Sequence, residues 1–150
     1  SAWLKEQGLD PLPFFNPPAE SAASNPALAR KFPLAFLSPP ARNFLNSTFA
    51  NLKRFRDQEG EPHLEMHRED AAARGIADGD AVRVFNGRGG YTLRARVNDK
   101  PRRGVVVAPS VWWRKFSPDG RNANSVTSQR IADLGGGATF YDCLVEVEKV

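Results

Sequence analysis

The chain has a single cysteine in 150 residues, which excludes an internal disulfide. That residue, Cys143, sits in the apolar run Cys143-Leu144-Val145 and reads as a buried, inert thiol. With no cysteine near His63 and His67, which lie four residues apart, no metal centre is expected there. No apolar run approaches the roughly eighteen residues that span a bilayer, so no membrane contact is expected. No charged-then-apolar leader pattern opens the chain. Without an initiator Met, and with Pro-rich text at its start, the chain reads as an excised piece of a longer protein, with the cytoplasm as the expected compartment. The net charge of +4 permits an anionic partner without demanding one. Its excess reads as spread along the chain apart from Lys100, Arg102 and Arg103, so no nucleic-acid partner is expected. Three signatures are missing too: a Gly-rich phosphate loop followed by Lys and Ser or Thr, a nucleophile elbow, and the Asp-Ser/Thr-Gly motif of aspartyl proteases.

What is present is ordinary for one globular domain, 41% hydrophobic and 25% charged residues, with length enough for a real core. Residues 1–31 carry prolines at 11, 13, 17, 18 and 26. They read as an extended arm or linker, able to pack through Trp3, Phe14 and Phe15. Residues 32–38 fit a buried strand ended by Pro39 and Pro40. Phe44, Leu45, Thr48, Phe49 and Leu52 recur at spacings near three and four, which predicts a helical turn. Residues 57–62 read as a polar loop and 63–66 as a strand. His67 is placed to cap a helix through Ala71, Ala72 and Ala73, with Gly75 as its stop.

Residues 81–85 and 91–97 are strands joined by the hairpin 86–90. Tyr91, Leu93, Ala95 and Val97 share one face of the second strand. Residues 105–108 are apolar on both faces and fit a buried strand. The polar loop after Trp112-Trp113 is too long for a bland connection, and residues 140–147 form the last strand.

The ordered set of blocks resembles a known domain over residues 32–149. His67-Arg68-Glu69-Asp70-Ala71, Gly75-Ile76, Asp78-Gly79-Asp80, Val82 and Val84, then Trp112-Trp113 and Asn124-Ser125-Val126-Thr127, are similar to the C-terminal domain of molybdopterin oxidoreductases of the dimethyl-sulfoxide reductase family. The chain departs from that pattern at Asn46, where many relatives have His, and at Arg68, where many have Pro. The resemblance implies a mainly β fold, a six-stranded double-psi β-barrel with one or two short helices, in residues 32–150. It implies a domain that contacts the pterin rings of a molybdopterin guanine dinucleotide carrying molybdenum or tungsten. The redox chemistry, and an iron–sulfur cluster where the parent has one, would lie in the parent's other domains. No catalytic residue and no metal ligand are expected in this chain.

Such a ligand asks for short polar side chains at ring edges, donors for phosphates and flat apolar surface. The matched blocks offer Ser38, Asn46, Ser47 and Thr48, Arg42 for a phosphate, Asn124 for a pterin amide edge, and Phe116 and Tyr141 for a ring face. An alternative is a double-psi-barrel module that binds an acidic peptide or protein. The discriminating feature is whether residues 38–48 and 122–127 face one patch.

Overall fold

Six short strands carry the apolar alternation. They are β1 (Leu34–Leu37), β2 (His63–His67), β3 (Ala81–Asn86), β4 (Gly89–Asn98), β5 (Val105–Val107) and β6 (Leu144–Lys149). The structure, a computed structural model, describes all residues except Ser1, Asp10, Pro11, Pro13, Phe14, Ser110, Asp133 and Leu134. In β4, Tyr91, Leu93 and Ala95 are buried while Arg94 and Arg96 are exposed, as a period of two requires. The strands close in the order β1-β5-β2-β4-β3-β6. The β1–β5 and β2–β4 pairs are parallel and the other four antiparallel. This is the expected six-stranded double-psi β-barrel, and closure removes the strand edges that would otherwise invite pairing with other chains.

Phe36, Leu64, Met66, Val82, Val84, Val106 and Val145 fill it with no exposed surface. Each such side chain contributes on the order of 1.5–3 kcal/mol by leaving water. Phe36 meets Tyr91 edge to face at 6.5 Å, a favoured aromatic geometry.

Four short α-helices decorate the described residues: α1 (Ala2–Glu6), α2 (Pro26–Lys31), α3 (Lys53–Glu59) and α4 (Arg68–Ala72). α1 and α2 precede the barrel, while α3 and α4 lie between its strands. His67 caps it as expected, its Nδ1 accepting from Glu69 N at 3.2 Å. Asp70 does not complete a capping box; its Oδ2 accepts from Gly104 N at 2.7 Å and so fixes the turn before β5.

Three expectations change. Residues 44–52 form reverse turns instead of a helix: Leu45 and Thr48 exchange backbone hydrogen bonds at 3.2 and 2.8 Å, and Asn46 and Phe49 adopt φ of 52° and 74°. The apolar spacing there does not mark one buried face, since Leu45, Phe49 and Leu52 are 66%, 40% and 44% exposed. The helix begins only at Lys53 and takes in part of the expected polar loop. The last strand begins at Leu144, because residues 139–142 turn, with Asp142 N donating to Thr139 O at 3.0 Å. The arm is not simply extended, since it contains α1 and α2. Asn25 caps α2 by accepting from Leu28 N at 3.0 Å, with Pro26 at its first position. Trp3 and Phe15 are exposed, and Phe14 lies outside the described residues. The arm meets the barrel through Glu20, which pairs with Arg88, and Ala19, whose N donates to Asp142; just after it, the Phe32 ring meets Phe85 edge to face at 6.2 Å.

His63 is buried in β2. Its Nε2 lies 3.2 Å from Arg96 Nη1, and its Nδ1 lies 3.0 Å from Glu61 O. A guanidinium only donates, so Nε2 accepts and Nδ1–H donates to the carbonyl. Burial first, and the Arg96 charge with it, lower the imidazole's pKa against the opposing Glu61 contact. Below its ordinary value of about 6.5 the unfolded chain therefore binds a proton that the folded chain refuses. The stability from neutral His63 is present above that pH and lost as pH falls. The melting temperature should drop between about pH 7.5 and 5.5, and His63→Gln should flatten the drop. Parallel curves for the two proteins would show that His63 is not its source.

Candidate functional site

Strand register sets where the loops meet. β1 and β5 run parallel with Leu37 opposite Val107, so the loops leaving their C-terminal ends start side by side at one end of the barrel. β4 begins pairing with β2 only at Arg94, so residues 89–93 run past β2. The loop after β5 is laid along that stretch. Thr92 N donates to Asp119 Oδ2 at 2.8 Å, and Arg121 Nη1 to Gly90 O at 3.5 Å. A 3-10 turn at Ala123–Ser125 comes so close that a Cβ on Gly89 would lie 2.9 Å from Ser125 O.

The loop after β1 and the loop after β5 are tied to each other. Trp113 Nε1 donates to Ser47 O at 2.7 Å, and Val111 N to Asn46 O at 3.4 Å. Phe44 and Trp112 meet edge to face at 5.1 Å, in a minor core with Ala41 and Ala50. Asn122 Nδ2 donates to Trp112 O at 3.0 Å, while Asn122 Oδ1 accepts from Asn124 N at 3.2 Å. Ser47 and Asn124 thus belong to one hydrogen-bonded cluster. A pocket under Trp112, lined by Tyr91, Leu93 and Asn122 among others, has room for about one water molecule. The Tyr91 hydroxyl there is buried without a partner among the described residues. A larger ligand must lie across the open loop surface.

Among the residues expected from sequence, Asn46, Ser47, Thr48 and Asn124 are exposed, and no hydrogen bond among the described residues engages their side chains. Arg42 is exposed and has no carboxylate partner among the described residues. Ser38 is 6% exposed at the root of the first loop. Phe116 is half-buried beside the minor core, with the Arg56 guanidinium 3.9 Å above its ring. Tyr141 packs on Phe140 at 4.5 Å, on the turn before β6, and no hydrogen bond among the described residues joins it to either loop.

Sequence reading missed how the charge gathers. Segments 38–59 and 111–130 hold eight Lys and Arg against three Asp and Glu, while the whole chain nets +4. The rest is therefore slightly acidic, and the excess sits on the two loop regions. By contrast, in the sequence cluster 100–103, Lys100 faces Glu65 at 3.8 Å and Arg103 meets Glu69 at 3.0 Å. A second miss is the anchor at Val126 O. It accepts from Asn86 Nδ2 at 2.9 Å, Arg88 Nε at 2.7 Å and the Cys143 thiol at 3.2 Å. Cys143 is buried as expected, and burial pushes its thiol up to about 11 against the pull of Arg88.

The fold belongs to a broad class. The chain matches acetylene hydratase from Pelobacter acetylenicus with a TM-score of 0.84 at 22% identity, over 98% of this chain and 22% of that one, which establishes the double-psi barrel as a shared architecture. Sequence narrows the class. The molydopterin dinucleotide binding domain model matches residues 34–144, and the chain belongs to that family of cofactor-binding domains. It is 35% identical over 149 residues to the "Probable oxidoreductase YoaE" of Bacillus subtilis, covering 98% of this chain and 20% of the relative. It is 32% identical over 161 residues to the dimethyl sulfoxide reductase DmsA of Escherichia coli, covering 100% and 19%. It is 32% identical over 97 residues to the biotin sulfoxide reductase of Cereibacter sphaeroides, covering 61% and 13%. The chain spans about a fifth or less of these relatives' lengths.

The donor set fits a pterin dinucleotide. Uncommitted amides and hydroxyls at Asn46, Ser47, Thr48 and Asn124 match ring-edge donors and acceptors. Arg42 and the surrounding cationic excess match a pyrophosphate.

Proposed function

We propose that this chain covers one side of a molybdopterin guanine dinucleotide, carrying molybdenum or tungsten, within a much larger oxidoreductase whose remaining domains complete the site. The observation that carries this reading is the linking of two polar loops through Trp112, Trp113 and Asn122, in the most cationic part of the molecule, with no hydrogen bond among the described residues on the side chains of Asn46, Ser47, Thr48 and Asn124. An acidic-peptide module gives no reason for short amides and hydroxyls on both linked loops to be left free of protein partners.

The roles follow from the chemistry of each group. Asn124 and Asn46 recognise ring-edge donors and acceptors, Ser47 and Thr48 add short hydrogen bonds, and Arg42 meets a phosphate oxygen. Ser38 anchors the root of its loop, Phe116 supports that loop from beneath, and Tyr141 offers an exposed ring at the rim. When bound, the metal–pterin unit supplies two-electron redox chemistry. The chain's own residues bind and orient it. With one buried cysteine in this chain, cysteine ligands for any iron–sulfur cluster belong to the other domains.

In the full-length parent protein, Asn124→Ala should lower pterin and metal content. One or two hydrogen bonds to a polar ligand, at about 1–3 kcal/mol, correspond to roughly ten-fold weaker retention. Wild-type pterin and metal content in that variant would remove Asn124 from the site.

A further inference from the structure

The loop that bears Asn124 is held from below by a residue outside the family match. Glu20 belongs to the arm, before residue 34 where that match begins. Its side chain is only 13% exposed, and it meets Arg88 with Nη1 at 2.5 Å and Nη2 at 3.0 Å. It also accepts from Leu144 N, at the start of β6, at 3.2 Å. The neighbouring Ala19 N donates to Asp142 Oδ2 at 3.2 Å. Arg88 Nε reaches Val126 O at 2.7 Å, and Nη2 also lies 3.6 Å from Cys143 Sγ. One planar fork therefore joins the arm to the carbonyl of Val126, the residue that follows the 3-10 turn Ala123–Ser125 and lies two residues from Asn124.

We propose that Glu20 and Arg88 are positioning residues. The arm orients Arg88, and Arg88 sets the height of the Asn124 turn above β4. This rests on the cofactor reading for its functional consequence, though not for its structural one. Guanidinium geometry suits this role because its donors are fixed in one plane, so two bonds to a carboxylate fix the direction of the third. Asn86 Nδ2, from β3, and the Cys143 thiol, from the residue before β6, also donate to Val126 O. Arg88 is the member of that set whose own side chain the arm grips, through the Glu20 carboxylate. It follows that residues 19–31 work with the barrel and that the functional boundary of the domain lies near residue 19. Whatever domain precedes the arm can, by pulling on Glu20, shift a cofactor contact more than 100 residues away in sequence.

The test uses the full-length parent protein with Glu20→Gln, Arg88→Lys and the exchange pair Glu20→Arg with Arg88→Glu. Three readouts are needed: hydrogen exchange at the amides of residues 125–127, proteolysis at residues 15–25, and pterin content. Glu20→Gln and Arg88→Lys should each speed exchange there by roughly ten-fold or more, the scale of a lost charge-assisted bond, and should lower pterin content. The exchange pair restores the ion pair, but its carboxylate cannot donate to Val126 O. It should re-dock the arm, seen as restored resistance to proteolysis at residues 15–25, and leave exchange at 125–127 fast. Unchanged exchange in Glu20→Gln and Arg88→Lys would overturn the proposal, as would restoration of slow exchange by the exchange pair. Fast exchange with pterin content unchanged would overturn its functional half. Asn124→Ala measured alongside separates the failures. If it also leaves pterin content unchanged, the cofactor assignment fails; if it alone lowers pterin content, only the Glu20–Arg88 linkage fails.

Discussion

Gly90→Val should destabilise the chain by about 3 kcal/mol or prevent it from folding, measured by denaturant unfolding. Gly90 is buried in β4 opposite Phe85. A Cβ there would lie 2.8 Å from Phe85 Cβ, 2.9 Å from Val84 O and 3.1 Å from Arg83 Nε. Arg83's side chain can swing away, but the backbone carbonyl and the Cβ of the paired strand cannot. Relief requires the β3–β4 ladder to open. That hairpin holds Val82, Val84, Tyr91 and Leu93 in the core, so the strain spreads into the packing and reaches at least the upper end of the usual overpacking cost of about 1–3 kcal/mol. Gly87 is the control. A Cβ there meets nothing within 4 Å, and Gly87→Ala should stay within about 0.5 kcal/mol of wild type. Equal stability of the Gly90 and Gly87 variants would show that the hairpin tolerates separation and that the register argument is wrong.

The barrel was legible because its signals are local. Alternation at Tyr91, Leu93 and Ala95, the polar turn at residues 86–90 and the His67 cap each depend on residues a few positions apart. The alternation and the cap are present in the structure, and so is the hairpin, though its turn shrinks to Gly87-Arg88 because Asn86 pairs with Gly89 and Phe85 with Gly90. The turns at residues 44–52 were not legible, because Leu45, Phe49 and Leu52 mimic a helical spacing while remaining exposed. Here the apolar side chains do not face the protein's own core, so their spacing reports no helix. The candidate site residues were named from the resemblance, and what supports them in the fold was not legible. Val126 and Glu20 lie 38 and 68 residues from Arg88 along the chain, and nothing in Arg88's sequence neighbours marks it as other than a hairpin surface charge. The charge on the two loop regions was hidden for the same reason: segments 38–59 and 111–130 become neighbours only through the parallel β1–β5 pairing.

Gly89→Ala should do the reverse of Gly90→Val, costing the barrel little and the cofactor much. Its Cβ would lie 2.9 Å from Ser125 O and 3.9 Å from Ser125 C, both backbone atoms of the 3-10 turn beside Asn124. No rotamer change relieves that contact, so the turn must lift from β4. Asn124 and Ser125 lie outside the core, and although Ala123 and the capping Val126 belong to it, Val126 O keeps its bonds to Asn86 and Cys143, so the stability cost should be about 1 kcal/mol. A ligand contact is more demanding, since productive geometry tolerates displacements of only about 0.5 Å. Lifting Asn124 by a comparable distance should cut pterin content in the full-length protein roughly ten-fold or more, with the melting temperature nearly unchanged. Gly89 and Gly90 are adjacent, yet one makes room for the ligand loop and the other for the partner strand. That division is the test: if Gly89→Ala lowers stability as far as Gly90→Val and pterin content falls only in step with it, the turn is part of the barrel's own packing and its approach to β4 is not what holds Asn124 in place.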